Sequence, residues 1–600
     1  MPHSLPRPEY PRPQFQREQW LCLNGPWSFE IDPGDSGLER GLRERPLAGQ
    51  ITLPFCPEST LSGVGNTDFL NAVWYRREVV IPPEWQGRQV LLHFQAVDYD
   101  ATVWVNGVEV ARHRGGFTPI TCHLAGIAAP SETAVIVVRA RDDHRQPKPR
   151  GKQERQYANH GCEYTRTTGI WQTVWMEPVP AVHLQRPRIT PEVTRSLFHL
   201  EIPVSANLPG ARVHAALLDD QGEISSAEFP LGLESTARID LPVPPERCRL
   251  WQPGDPHLYR LRLSLVHPSG EVLDQAESYA GLRAVAVDGR RVLLNGQPLF
   301  QRLVLDQGYY PDGILTAPSD DALIEDIQLS MRAGFNGARL HQKVFEERFL
   351  YHADRLGYLV WGEFPDWGVG GAGPLPEHQR PTATFITQWL EVLARDYSHP
   401  SIVGWCPLNE TWQAITDHLT DLDEVTWGMF LATKAADATR PVLDASGYSP
   451  LVPQADVYDS HDYEQDPAIF AEHHAGTRAG APYVNRGWPN PGDEFSIPYR
   501  GQPVFVSEFG GIWWNPKAAA GENSWGYGSR VNDIEEWYTR FEGLCAALLD
   551  DPAMFGYCYT QLTDVFQEQN GIYFFDRTAK FNLERLRAVQ ARPAAIEVQP

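Results

Sequence analysis

The hydrophobic rhythm of the chain changes twice. Up to about residue 180 the apolar positions come in short runs rich in β-branched and aromatic residues. Among them are "AVWYRREVVI" (72–81), "QVLLHFQAV" (89–97), "ATVWVNGVEVARH" (101–113) and "TAVIVVRAR" (133–141). Such runs read as strands, and Asn106-Gly107 predicts a tight hairpin turn between two of them. No helical period of useful length appears here, so the pattern predicts a β-sandwich of the jelly-roll kind. A basic, Gly-containing stretch, "RDDHRQPKPRGKQERQYANHG" (141–161), interrupts it as a long loop. After "VWMEPVP" (174–180) the pattern restarts with alternating runs such as "LFHLEIPV" and "LYRLRLSLVH". Their spacing suits an immunoglobulin-like sandwich of about 100 residues.

From about residue 286 strands alternate with amphipathic stretches. The strand candidates are 299–305, 336–340, 358–364, 401–408, 441–446, 455–460, 503–509 and 554–561. "SDDALIEDIQLSMRAG" is a representative helix between them, with Ser319 as N-cap and Gly334 as C-cap. Eight such units predict a (β/α)₈ barrel. A doubly wound open sheet would carry a Gly-rich phosphate turn after an early strand, and none is present. The chain therefore divides into residues 1–181, 182–285 and 286–600.

Composition narrows the function. A formal charge of −24 argues against nucleic acid and anionic membrane surfaces as partners. No apolar run is long enough to cross a bilayer, and "MPHSLPRPEYPRPQF" lacks the apolar core of a signal peptide, so a cytoplasmic address is expected. The eight cysteines form no C-x-x-C pair and read as buried, reduced thiols, with neither a zinc site nor a disulfide framework.

In a (β/α)₈ barrel the C-terminal strand ends face the active site. Here they carry Asp306, Arg339 and His341, Glu363, Asn409 and Glu410, His461 and Tyr463, Glu508, and Gln561. Glu410 follows the uncharged run "SIVGWCPL" and lies between Trp405 and Trp412. A carboxylate where a buried strand opens into a loop is costly without a partner or a task. Glu410 and Glu508 lie across the barrel mouth from one another, the arrangement that glycoside hydrolysis requires of a carboxylate pair. Their surroundings must differ, so that one stays protonated while the other is ionised. Glu363 reads as a supporting acid. His341, Glu363 and His461 are metal-ligating types, but no ligand spacing demands an ion and no metal is expected. In the aromatic loop 510–528, one of Trp513, Trp514 or Trp525 is expected to stack on a sugar face; the alternative is a hydrophobic lid or a subunit contact.

The runs "LNGPWSFEIDP", "WYRREVVIP", "VWVNGVEVARHRGGFTP", "TTGIWQTVWMEPVP", "GFNGARLH", "HPSIVGWCPLNET", "ATRPVLDASGY", "VFVSEFGG" and "YTQLTDVFQEQNG" together resemble glycoside hydrolase family 2 over nearly the whole chain. The resemblance implies a sugar-binding-type jelly roll, an immunoglobulin-like sandwich and a catalytic barrel. It implies retention of anomeric configuration, no redox cofactor, a small carbohydrate substrate and a homodimer or larger assembly. Carried over by motif, Glu410 is the acid/base and Glu508 the nucleophile, with Asn409 on the sugar 2-hydroxyl. Arg339 and Tyr463 lie beside the nucleophile, the one holding it ionised and the other orienting it. The pocket around Glu410 is expected to be dry, raising its pKa, with the nearby tryptophans as walls.

Substrate is read from departures. Glucuronidases of the family carry an Asn-x-Lys pair that recognises the sugar carboxylate, whereas here Asn570 is followed by Ile572. The large β-galactosidases carry further C-terminal domains and metal-ligand motifs, and this chain ends shortly after the barrel. The expectation is a retaining exo-glycosidase for a neutral sugar, β-galactoside first. An α-L-arabinoside or other pentoside follows, then a β-glucuronide. The segment 464–500 is placed to close over a small exo-substrate. From another class, a carbohydrate-binding protein on a dead hydrolase scaffold would have no need of both Glu410 and Glu508.

Overall fold

Alternation of buried and exposed residues builds the first unit as two facing antiparallel sheets. The computed structural model describes residues 5–367, 383–411, 414–448, 451–486, 492, 494–517 and 523–598. A six-stranded sheet contains Ala72–Val80, Thr133–Arg141, Asp100–Val105 and Val108–Arg114, and a four-stranded sheet contains Val174–Val179 and Gln89–Phe94. Trp27, Tyr75, Val103 and Val138 from one sheet meet Leu92, Ile120 and Met176 from the other in a single core. The predicted hairpin forms at Asn106 (φ 50°) and Gly107 (φ 80°), the doubly left-handed geometry that a two-residue turn requires. The second unit repeats the principle with a four-stranded and a three-stranded sheet around Phe198, Leu200, Val213, Leu261 and Leu263. Arg17 ties the two units, reaching Glu177 at 3.0 Å and Asp274 at 2.8 Å.

The C-terminal half is a curled, all-parallel sheet wrapped by helices. Its strands are β1 (Gln301–Asp306), β2 (Gly337–Leu340), β3 (Leu359–Glu363), β4 (Ile402–Cys406), β5 (Tyr458–Asp462), β6 (Val504–Gly510) and β7 (Met554–Thr560). They pair in the order β4-β3-β2-β1-β7-β6-β5. Helix α1 (Asp320–Arg332) is capped as its sequence predicts, with the Ser319 hydroxyl accepting from Ala322 N–H.

Two expectations change. The run 441–446 forms no ladder strand; isolated bridges join Val442 to Trp405 and Ser446 to Asn409. Pro441 has no N–H to offer, and the Asp444 carboxylate takes the N–H groups of Leu451 and Val452, drawing the following turn inward. The ring closes there through single bonds, including Asp456 N–H to Val442 O at 3.0 Å. Before β1, a small antiparallel sheet (Val285–Asp288, Arg291–Leu294, Gln297–Pro298) places Val292 and Leu294 beneath the barrel core. The sequence reading folded this hairpin into the barrel's start.

All eight cysteines are free thiols, but Cys22, Cys162 and Cys248 are only half-buried, against the expectation of burial throughout. Among the described residues no helix is long and apolar enough to cross a membrane.

Candidate active site

Seven strand ends converge at the open face of the parallel sheet, and one guanidinium organises its centre. Arg339, at the end of β2, is fully buried. Its Nη1 donates to Glu363 and, at 3.1 Å, to Asn409 Oδ1, while Nη2 donates to Glu508. The Tyr463 hydroxyl donates to the other oxygen of Glu508. Burial alone would raise the pKa of Glu508. The charges of His461, Arg339 and Lys152, with the Tyr463 hydrogen bond, outweigh it and hold the carboxyl below its usual range. The expected ring of donors around Glu508 is thus present. Tyr463 is itself fixed by face-to-face stacking on Tyr527, with ring centres 3.4 Å apart.

Glu410 is presented differently. It follows β4 in the left-handed region at φ 50°, a conformation that costs a non-glycine residue about 1–3 kcal/mol and clusters at functional sites. Its N–H is anchored on Ser446 O at 2.7 Å. This twist turns the side chain into the mouth, where it remains 19% exposed against 5% for Glu508. The expectation of a dry pocket around Glu410 therefore fails: of the two glutamates Glu508 is the more buried. His461, at the C-terminal part of β5, lies between the two, with Nδ1 2.8 Å from Glu410 Oε1 and 3.3 Å from Glu508 Oε2. Burial opposes its charge, but Glu508 and Glu410 raise its pKa above the ordinary value. One oxygen of each glutamate and one nitrogen of His461 all fall within 4.8 Å of one another. That trio has the composition of a metal-ligand set, yet each member already has a protein partner: Ser446 Oγ lies on His461 Nε2 at 3.0 Å, and Arg339 and Tyr463 hold Glu508.

The remaining candidates divide. Asn409 is fully buried and accepts from Arg339, but among the described residues its Nδ2 has no partner and is placed to donate to a ligand. Glu363 accepts from Arg339 and from Gln342 N–H, and lies 2.9 Å from His341 Nδ1, so it supports the centre from behind. His341 is held neutral, its pKa pushed well down by burial and by Lys152 and Arg339. Asp306 is not brought to the pair. It accepts from Gly308 N–H and faces Asp326, with burial and that neighbour pushing its pKa up to about 7. Gln561 bonds Gln307 and Asn570 rather than either glutamate. Trp514 packs against the barrel core, with its indole N–H unpartnered among the described residues.

One aromatic expectation is corrected. Trp405 points away from the mouth: its indole N–H donates to Asp437 at 2.8 Å and its ring packs edge-on against Trp389. Successive strand residues face opposite sides, and Cys406, not Trp405, takes the inner one. Trp412 lies outside the described residues. The indole beside the site is Trp367, whose N–H donates to Asn409 O at 2.9 Å. Sequence reading missed it, as it missed Tyr527 and Lys152, because all three come from loops. The basic character of 141–161 was the one signal available for Lys152.

Comparison with known proteins follows the same lines. The model for "Glycosyl hydrolases family 2, sugar binding domain" matches residues 44–146, and that for "Glycosyl hydrolases family 2" matches residues 182–283. The chain is 27% identical to a β-glucuronidase of Paenibacillus borealis over 416 residues, 65% of this chain and 67% of that protein. It is 28% identical to the β-glucuronidase of Canis lupus familiaris over 478 residues, 72% and 69% of the two chains. A β-glucuronidase from Ruminococcus gnavus, solved with D-glucuronic acid, shares the fold with a TM-score of 0.75 at 18% identity. The match covers 98% of this chain and 100% of that one.

Proposed function

The chain belongs to glycosyl hydrolase family 2 as an O-glycosyl hydrolase, and from that premise we propose that it removes terminal β-D-glucuronyl residues with retention of configuration. In this reading residues 1–181 form a jelly roll, 182–285 an immunoglobulin-like sandwich and 286–600 the (β/α)₈ catalytic barrel. The observation that carries the mechanism is the carboxylate spacing. Oxygens of Glu410 and Glu508 within 4.8 Å suit a retaining pair, for which about 5 Å is typical, and leave no room for the water that an inverting pair holds between them.

Glu508, ionised by Arg339 and oriented by Tyr463, attacks the anomeric carbon and forms a glycosyl ester. Glu410, at the solvent-facing rim, gives its proton to the departing oxygen. It then takes a proton from the water that opens the ester, and Glu508 leaves as a carboxylate. The Nδ2 of Asn409 donates to the sugar 2-hydroxyl, a contact that tightens as positive charge builds on the ring.

Kinship supports the choice of glycone: the relatives described above are β-glucuronidases, so the galactoside-first expectation gives way to the glucuronide alternative. The test is initial rates on aryl β-glucuronide, galactoside, glucoside, mannoside, xyloside and both arabinosides, with wild type beside Glu508→Gln. The glucuronide is expected to be fastest and to lose its rate in the variant. A galactoside or arabinoside turned over in its place would overturn the glycone. No turnover of any sugar by folded protein would favour a carbohydrate-binding role.

A further inference from the structure

A lysine reaches the barrel mouth from the first β-unit. Lys152 lies on the basic loop 141–161, whose backbone is docked on the barrel: Arg150 N–H donates to Trp367 O at 2.9 Å and Gly151 N–H to Pro365 O at 3.0 Å. Gly151 has φ 62°, and a Cβ there would fall 2.1 Å from the Gln342 carbonyl oxygen, so glycine alone permits this approach. The docking buries Lys152 to 6% exposure and sets its ammonium 5.3 Å from the centre of the Trp367 ring. Among the described residues the ammonium has no hydrogen bond and no ion pair.

Its surroundings define what is missing. Burial works against the charge, but Cys162, Glu568, Glu508 and Glu410 more than offset this and Lys152 stays a cation. Each of those carboxylates is served by a different donor. Arg339 and Tyr463 hold Glu508, His461 sits on Glu410, and Tyr164 and Asn570 donate to Glu568. With three N–H groups, no acceptor among the described residues and most of its side chain buried, the ammonium is placed to meet an arriving anion. The cations of the loop after β7 are already engaged, Lys580 by Asp564 and Trp514 O and Arg577 by Asp326, while the Asn570 amide is used by Gln561 and Glu568 and Ile572 is fully buried in the barrel core. In a pyranose bound with C1 at Glu508, the C6 substituent lies a few ångström away, within the reach over which Lys152 and Glu508 feel one another.

We infer that Lys152 is the specificity-determining residue that pairs with the C6 carboxylate of a terminal β-D-glucuronyl group; the inference rests on the glucuronide reading above. The first β-unit then contributes directly to the glycone pocket, and the docked Gly151 is what positions it.

Two substrates that differ only at C6, p-nitrophenyl β-D-glucuronide and p-nitrophenyl β-D-glucoside, test this on wild type, Lys152→Met and Lys152→Arg. Wild type should prefer the glucuronide. In Lys152→Met the glucuronide-to-glucoside ratio of kcat/KM should fall roughly 100-fold, as for a buried charge pair losing one partner, while Lys152→Arg keeps most of the preference. If Lys152→Met does not fold, Lys152→Gln gives the same comparison. A wild type that prefers the glucuronide, with an unchanged ratio in the variant, would overturn the role of Lys152 and leave the glucuronide reading standing. A wild type that prefers the glucoside would overturn both.

Discussion

The inner wall of the site, built on β2, β3 and β6, and its rim, built after β4, each hold one glutamate and treat it in opposite ways. On the wall, Glu508 is 5% exposed, and both of its oxygens are engaged, by Arg339 and Tyr463. On the rim, Glu410 stands on a left-handed backbone with 19% of its side chain open to solvent and, among the described residues, a single side-chain partner, His461. The wall group is locked as an anion; the rim group can exchange protons with water and with a leaving group. The difference teaches that the division of labour between two chemically identical side chains is made by the donors around them and by access to solvent.

That contrast can be broken from either side. Glu508→Gln removes the attacking group and should lower kcat by roughly 10⁴-fold or more on every substrate, regardless of leaving group. Glu410→Gln should cost about 10²–10⁴-fold where the leaving group needs a proton and much less for an acidic phenol. A plot of log kcat/KM against leaving-group pKa should therefore steepen in that variant. Tyr463→Phe deletes one hydrogen bond to the anion, worth about 1.5–3 kcal/mol, so kcat should fall about 10–100-fold. It should also move the acid limb of the kcat/KM profile. In wild type that limb should fall under the ordinary carboxylate range, because the Glu508 pKa is lowered, and losing a donor to the ionised form shifts it upward. The smallest effect on activity is expected at Trp405→Phe. Urea unfolding should show a loss of about 1–3 kcal/mol from leaving buried Asp437 without its indole donor, with kcat/KM within about twofold of wild type, since Trp405 faces the helices rather than the mouth.

What the sequence made legible follows the same division. The site could be read because parallel strands end in polar residues at predictable places: Arg339, Glu363, Asn409, Glu410, Tyr463 and Glu508 all gather around one centre. Local rules also located the Asn106-Gly107 hairpin and the Ser319 cap, whose causes lie within a few residues. The direction of Trp405 was not legible, because a strand buried on both faces is apolar at every position and gives no alternation to read. Asp306 ends its strand as the others do, but packing turns it toward Asp326 and Gly308, away from the glutamates. Lys152 was hidden for a further reason. Its place depends on a loop of one unit docking against another, and no local pattern encodes a contact between Gly151 and Gln342.

The most direct test of the central claim, that Glu508 becomes covalently glycosylated, is to trap the intermediate. Enzyme incubated with 2-deoxy-2-fluoro-β-D-glucuronyl fluoride should gain the mass of one fluoroglucuronyl group, and peptide mapping should place it on Glu508. Glu508→Gln should gain nothing. An enzyme that hydrolyses β-glucuronides yet accumulates no adduct and releases the α-anomer first would contradict the account, and a label on Glu410 would reverse the roles of wall and rim.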